Sequence, residues 1–270
     1  MTTLARHTLD SAVGEIEVHR AGSGGPAPVV YLHSAQGEGP GMVLLEQLAE
    51  TRVVVAPLFP GFGSSEGLEH IDDIEDAAFH VLDVLDRLDL PWCDMVGLSL
   101  GGWMAAELAV RWPERVRRMV LVNPVGLYLR DAPITEIFGR APSELAGELF
   151  ADDDFPIAQL MRAMDGMEAD PSQIPFELVR PILQSQAATA KLGWSPYLHD
   201  PKLPSRLRRV TAPTLIVHAR KDGIVPRVHG EAYASAISDA KLVDLDDAAH
   251  LAPLERPDEV AKLVLGHLGD

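Results

Sequence analysis

"MVGLSLGGW", residues 95–103, sets one hydroxyl, Ser99, among three glycines where an apolar run gives way to an alanine-rich segment. Residues 97–101, GLSLG, match G-x-S-x-G between a strand-like run and a helix-like one, which is the context a nucleophile elbow requires. Gly97 and Gly101 remove side chains that would crowd a sharp strand-to-helix turn, and Gly102, Ala105 and Ala106 let the helix lie close to a sheet. Such a turn pushes the Ser99 hydroxyl clear of the backbone. The free N–H of Leu100 and the positive end of the new helix then face the place where an oxyanion would form. A serine that merely caps a helix beside packed glycines gives the same letters. The assignment therefore rests on what else the chain supplies.

A serine hydroxyl is a weak nucleophile and needs a base, and the base needs a group to orient it. "HARKDGIVP" (218–226) places Asp222 just after the strand-like run 214–219, and "DAAHLAPLERPDEV" (247–260) places His250 just past the run 241–246. Alone, Asp222 reads as a turn aspartate and His250 as a loop histidine. Residues that follow parallel strands gather at one edge of the sheet, so Ser99, Asp222 and His250 would meet there. The run 117–124 ends on Asn123 and Pro124 with no carboxylate, which leaves Asp222 as the acid. Asp244, Asp246 and Asp247 read as solvent-facing residues at the end of a strand.

Further runs complete the pattern. "PVVYLH" (28–33), "RVVVAP" (52–57), "CDMVGL" (93–98), "RRMVLVNP" (117–124), "TLIVHA" (214–219) and "KLVDLD" (241–246) look like strands, most of them too continuously apolar for a wet face. Helical patterns fall between them near 42–50, 73–89, 100–112, 228–237 and 257–268. The alternation implies a doubly wound, mostly parallel α/β sheet. Residues 127–205 break the rhythm with no convincing strand, and are expected to form a helical cap inserted into a core of residues 1–126 and 206–270.

Composition agrees with one such domain. The 270 residues are 47% hydrophobic with a formal net charge of -17. That is enough to bury a sizeable core, and it opposes contact with nucleic acid or an anionic membrane surface. The first twenty residues carry recurrent charges and no apolar core of signal-peptide length, and Cys93 is alone, so a cytoplasmic, reducing location is expected. Neither a cofactor motif nor a spacing of metal ligands stands out. The expected partner is a small-molecule substrate, and oligomeric state is left open.

Nearly the whole chain resembles the α/β-hydrolase fold family, of the capped esterase-like kind, through "LHSAQG" (32–37), "PGFGSS" (60–65), "GLSLGGW" (97–103), "KDGIVP" (221–226) and "AAHLAPLERPDEV" (248–260). The resemblance implies Ser99 as nucleophile, Asp222 as acid, His250 as base, and the backbone N–H groups of Ala35 and Leu100 as oxyanion donors. His33 reads as a loop brace rather than a second base. This chain departs from the family pattern at Ser34, where glycine is usual, and at Leu58, where aspartate is common. Ser34 would either tighten the loop or offer its hydroxyl to substrate, and Leu58 would make that wall more apolar.

The resemblance further implies a serine hydrolase that passes through an acyl-enzyme, with a small or medium apolar ester as the default substrate. The alternatives are hydrolysis of a carbon–carbon bond in a diketone-like substrate, and a ligand sensor with little turnover. Carbon–carbon hydrolases of this kind often carry Trp directly after the catalytic histidine, where this chain has Leu251. The cap offers Phe138, Phe150, Phe155, Met161, Met164, Met167, Phe176, Trp194 and Tyr197 either as pocket lining or as its own core.

Overall fold

Strands that are apolar on both faces need helices over both, and the structure, a computed structural model describing residues 3–164 and 176–269, supplies them. The chain opens with β1 (Ala5–Ser11), β2 (Gly14–Ala21), β3 (Val29–Leu32), α1 (Met42–Leu48), β4 (Val54–Pro57) and α2 (Ile74–Arg87). It continues through β5 (Cys93–Leu98), α3 (Leu100–Arg111) and β6 (Val116–Val122). After β6 come α4 (Pro142–Leu149), α5 (Pro156–Ala163), α6 (Phe176–Gly193) and α7 (Leu203–Arg206). The chain closes with β7 (Thr214–Ala219), α8 (Val228–Ala236), β8 (Ala240–Leu245), α9 (Ala252–Glu255) and α10 (Pro257–Leu268).

The eight strands form one sheet in the order β1-β2-β4-β3-β5-β6-β7-β8. Pairing is parallel from β4 through β8, and antiparallel where β2 meets β1 and β4. The six expected strands are present within two residues at each end. The hairpin β1–β2 was not expected from the sequence. β2 does alternate, with Ile16 and Val18 in the core between Glu15, Glu17 and His19, but the run is short, Glu17 is buried as well, and β1 is largely exposed.

Side-chain alternation divides the interior. Met95, Leu121 and Ile216 pack under α2, α3 and α8 on one face, and Val96, Val120 and Val217 pack under α1 and α10 on the other. Each such fully buried aliphatic contributes about 1.5–3 kcal/mol. The capping residue of α2 is Asp73, whose carboxylate accepts the N–H groups of Glu75 (2.8 Å) and Asp76 (3.0 Å), and Arg87 lies in its last turn. Between β6 and β7 the described residues hold helices and an isolated bridge, Gly126–His199, but no strand. No helix among the described residues is long and apolar enough to cross a membrane.

At the end of β5 opposite Ser99, Asp94 is fully buried and ion-paired with Arg52 and Arg117. The same arginines, with Arg118, donate to the last carbonyls of the chain. Arg117 reaches Leu268 O (3.0 Å), Arg118 reaches His267 O (2.6 Å) and Arg52 reaches Gly269 O (2.9 Å), so the end of α10 is pinned to the sheet. Asp94→Ala leaves Arg52 buried without its partner and should cost about 3–5 kcal/mol in denaturant unfolding, with activity per folded molecule unchanged. A loss under about 1 kcal/mol would contradict this role.

Burial also holds two histidines neutral. His33 and His80 are pushed down from the ordinary 6.5 to about 4, in each case chiefly by loss of solvent. Between pH 6.5 and 4 the unfolded chain takes up protons that the folded chain refuses. Stability is therefore complete above that window and falls as pH drops through it. His80 Nδ1 is buried with no hydrogen-bond partner, so His80→Leu should flatten the fall in melting temperature across this range. Equal slopes for both proteins would refute the assignment.

Candidate active site

The turn from β5 into α3 is as tight as the glycines imply. A Cβ on Gly97 would strike the carbonyl oxygen of Gly101, and one on Gly101 would strike that of Leu32. Ser99 between them has φ 54° and ψ -109°, a conformation that costs a non-glycine residue about 1–3 kcal/mol. It is held there by Ser99 N–H to Val122 O (2.9 Å) and by Ser99 O accepting from Trp103 N–H (3.1 Å) and Val125 N–H (3.3 Å). The hydroxyl makes no capping bond to α3. Instead Ser99 Oγ lies 2.8 Å from His250 Nε2. Simple helix capping does not describe this serine.

His250 follows β8, and its Nδ1 meets Asp222 Oδ2 at 2.9 Å and Oδ1 at 3.1 Å. Both side chains are almost fully buried. Asp222 is fixed in its turn because Oδ1 also accepts Ile224 N–H and Val225 N–H, each at 2.8 Å. His218, within β7, faces Val225 O across 3.0 Å and braces the far side of that turn; burial pushes its pKa down. The structure thus brings Ser99, His250 and Asp222 into one hydrogen-bonded line, geometry suited to moving a proton off Ser99.

The residue that sequence reasoning passed over is Asn123. It was considered only as a missing carboxylate, yet it sits buried at the end of β6 with φ 45°. Its Nδ2 donates to His250 O (2.9 Å) and Ala249 O (3.2 Å), while its Oδ1 accepts Ala219 N–H (2.8 Å) at the end of β7. One amide therefore joins the histidine loop to the strand that carries the acid. Asp244, Asp246 and Asp247 lie outside this network and pair with Arg227, Arg220 and Lys221.

Ala35 and Leu100 line the same cavity as Ser99 and His250. The N–H of Leu100, in the first turn of α3, has no acceptor within the helix. His33 sits behind the loop: its Nδ1 faces Ser34 O (2.7 Å) and its Nε2 accepts Phe59 N–H (2.9 Å), which ties the 33–37 loop to the 59–65 turn. Ser34 Oγ is turned into the loop, accepting Gln36 N–H at 3.2 Å, rather than toward the cavity. Leu58 is buried in the core and is absent from the cavity lining.

The cavity wall is aliphatic. The segment between β6 and β7 contributes Val125, Ile137, Leu149 and Leu198, Ile224 adds to them, and Gln36 is a polar residue beside Ala35 in the lining. None of the described methionines and aromatics expected as candidates lines it. Phe150 stacks on Phe155 (5.1 Å), and Phe138 packs on Trp194 (5.3 Å) and Tyr197 (6.0 Å), so they serve the inserted segment's own packing. Tyr197 Oη accepts Ile137 N–H (2.9 Å) and so positions the wall from behind. Met167 and the side chain of Phe176 lie outside the described residues. Among the described residues no group of His, Cys, Asp and Glu is arranged to hold a metal ion.

Comparison with known proteins agrees with this architecture. The family model described as alpha/beta hydrolase fold matches residues 27–257. The chain is 29% identical over 271 residues to a 2-hydroxymuconate semialdehyde hydrolase of Pseudomonas sp., covering 92% of this chain and 88% of that protein. It is 30% identical over 234 residues to a 2-hydroxy-6-oxo-2,4-heptadienoate hydrolase of Pseudomonas putida, covering 78% and 77%. Among solved structures, the 2-hydroxy-6-oxo-6-phenylhexa-2,4-dienoate hydrolase of Rhodococcus superposes with TM-score 0.78 at 25% identity over 99% of both chains. A naproxen esterase from Bacillus subtilis superposes with TM-score 0.73 at 19% identity, covering 99% of this chain and 92% of that one, a likeness of fold alone. By its family match, its sheet order and its strand-to-helix serine turn, the chain belongs to the α/β-hydrolase fold family.

Proposed function

We propose that the protein is a serine hydrolase that cleaves a carbon–carbon bond beside a ketone in a conjugated, diketone-like substrate. The observation that carries hydrolysis is the line Asp222–His250–Ser99 opening on a cavity bordered by Ala35 and Leu100. In this reading His250 takes the Ser99 proton as Oγ attacks the ketone carbon, and the N–H groups of Ala35 and Leu100 hold the oxyanion. When the tetrahedral centre collapses, the carbon–carbon bond breaks and its electron pair passes into the conjugated skeleton. His250 returns the proton to that fragment. Water, activated by the same histidine, then releases the acyl group as a carboxylic acid.

What favours a carbon leaving group over an alkoxide is the relatives that match most of the chain, whose names describe hydrolases of hydroxy-oxo dienoates and of a hydroxymuconate semialdehyde. This places the ester reading second. One feature still favours it: among the described residues no Lys or Arg lines the cavity, so an uncharged substrate is better matched than a carboxylate. Leu251, in place of Trp, is buried in the core and adds no indole to the wall. The three aligned side chains speak for turnover rather than for a sensor. The segment between β6 and β7 is read as the cap, supported by its described residues Ile137, Leu149 and Leu198, which line the cavity with Ser99.

A panel of vinylogous diketones, p-nitrophenyl esters and lactones assayed in steady state separates the bonds. The expected result is highest kcat/KM on a diketone, with slower multiple turnover of short esters. Efficient ester cleavage without any diketone cleavage would reverse the order, and a single burst without steady state would favour a sensor.

Ser99→Ala and His250→Ala should each lower kcat by about 10³-fold or more, and their losses should not add because the residues act as one unit. Melting temperature should be kept or raised in Ser99→Ala, since one small hydroxyl is lost from a buried site that contributes no capping bond. An organophosphonate should add one adduct, on the peptide containing Ser99. Labelling elsewhere would refute the serine mechanism.

A further inference from the structure

Glu255, in α9 five residues beyond His250, is buried, and among the described residues its carboxylate has no ion-pair partner. Its three partners are backbone N–H groups from two separate segments. Oε2 accepts Ala249 N–H (2.7 Å), and Oε1 accepts Ala151 N–H (2.8 Å) and Asp152 N–H (3.3 Å). A buried charge without a cation is costly and is kept only where its hydrogen bonds compensate. Here both oxygens must accept, and no amide or hydroxyl can replace a carboxylate in that pattern.

The two segments it joins are the catalytic loop and the cavity wall. Ala249 precedes His250, and the carbonyls of Ala249 and His250 are held from the other side by Asn123. Ala151 and Asp152 follow α4, which supplies Leu149 to the cavity. Two backbone bonds run parallel to the clasp. Leu251 N–H donates to Leu149 O (3.2 Å), and Gly223 N–H, beside Asp222, donates to Glu148 O (3.1 Å). From this we infer that Glu255 is a positioning residue that couples the inserted wall to His250, so that the imidazole is aligned with Ser99 only while α4 is seated over the cavity.

The inference rests on Ser99 and His250 acting as nucleophile and base, but not on which bond is cleaved. Glu255→Gln keeps one acceptor and sets an amide N–H₂ against a backbone N–H. Ala151→Pro removes the shorter of the two insertion-side donors while leaving the Ala249 bond. Phe150 before it is already extended, at φ -125° and ψ 133°, as a residue preceding proline should be. For wild type and both variants, kcat per phosphonate-titrated site, KM, the rate of Ser99 phosphonylation and melting temperature are measured.

In Glu255→Gln, kcat per titrated site and the phosphonylation rate should fall together by about tenfold with KM within about twofold, as expected for a misaligned group. Ala151→Pro should move both rates in the same direction, by about threefold. Wild-type kcat per titrated site in Glu255→Gln, even with lowered stability, would reduce Glu255 to a structural role and overturn the proposal. Wild-type rates in Ala151→Pro would overturn the coupling to the insertion. Failure of the wild-type protein to label at Ser99 would instead break the hydrolase reading on which this one rests.

Discussion

Ser99 is held in a conformation it would not adopt by itself, and most of the architecture follows from the need to hold it there. With φ at 54° between β5 and α3, the turn brings Gly101 against Leu32 O and Gly97 against Gly101 O, approaches that tolerate no Cβ. Strain of about 1–3 kcal/mol persists only where surrounding structure overdetermines the backbone. Here β5 is paired on both sides, α3 is buried along nearly its whole length, and Val122 and Val125 bond to the Ser99 backbone itself. The elbow has to sit on a central strand because an edge strand could not restrain it from both sides.

Ala35, Asp222 and His250, the other groups of the proposed site outside α3, sit on loops, and each loop is braced by buried polar side chains. His33 ties the 33–37 loop to Phe59, His218 braces the Asp222 turn through Val225, Asn123 joins the His250 loop to β7, and Glu255 links that loop to the insertion. Burial keeps His33 and His218 neutral, so they act as hydrogen-bonding struts and add no charge beside the imidazole. Loops braced in this way approach the precision of strands while still presenting exposed backbone N–H groups to a ligand.

The parts legible in the sequence are those that depend on local pattern. The six apolar strands, the elbow glycines and the Ser99, Asp222, His250 order are each written in a few adjacent residues. The first hairpin was passed over because its alternation, Glu15-Ile16-Glu17-Val18-His19, is short and stands beside a largely exposed β1, and only the tertiary partners Ser64 and Arg6 explain a buried Glu17. Asn123 and Glu255 were equally opaque, since their partners lie 96 and 104 positions away for the Ala219 and Ala151 bonds. The cavity wall misled for a related reason. Aromatics and methionines are as useful to the insertion's own packing as to a pocket, and composition does not say which way Phe150 turns.

Buried carboxylates sort the molecule into scaffold and site. Asp94 is matched by Arg52 and Arg117, Glu107 by Arg111 with the Trp103 indole, and Glu17 by Arg6, so each is neutralised where it stands. Among the described residues Asp222 has only His250 as an ion-pair partner, and Glu255 has none. Asp222 lies in the turn after β7 and Glu255 at the end of α9, on either side of His250 in the chain. Negative charge left unpaired with lysine or arginine among the described residues therefore flanks His250, where the proposed mechanism would form an imidazolium. The chain carries many more acids than bases, yet among the described residues neither of these carboxylates pairs with a lysine or arginine. In the proposed mechanism a cation at either carboxylate would satisfy the resting protein and weaken the transition state in which positive charge appears on His250.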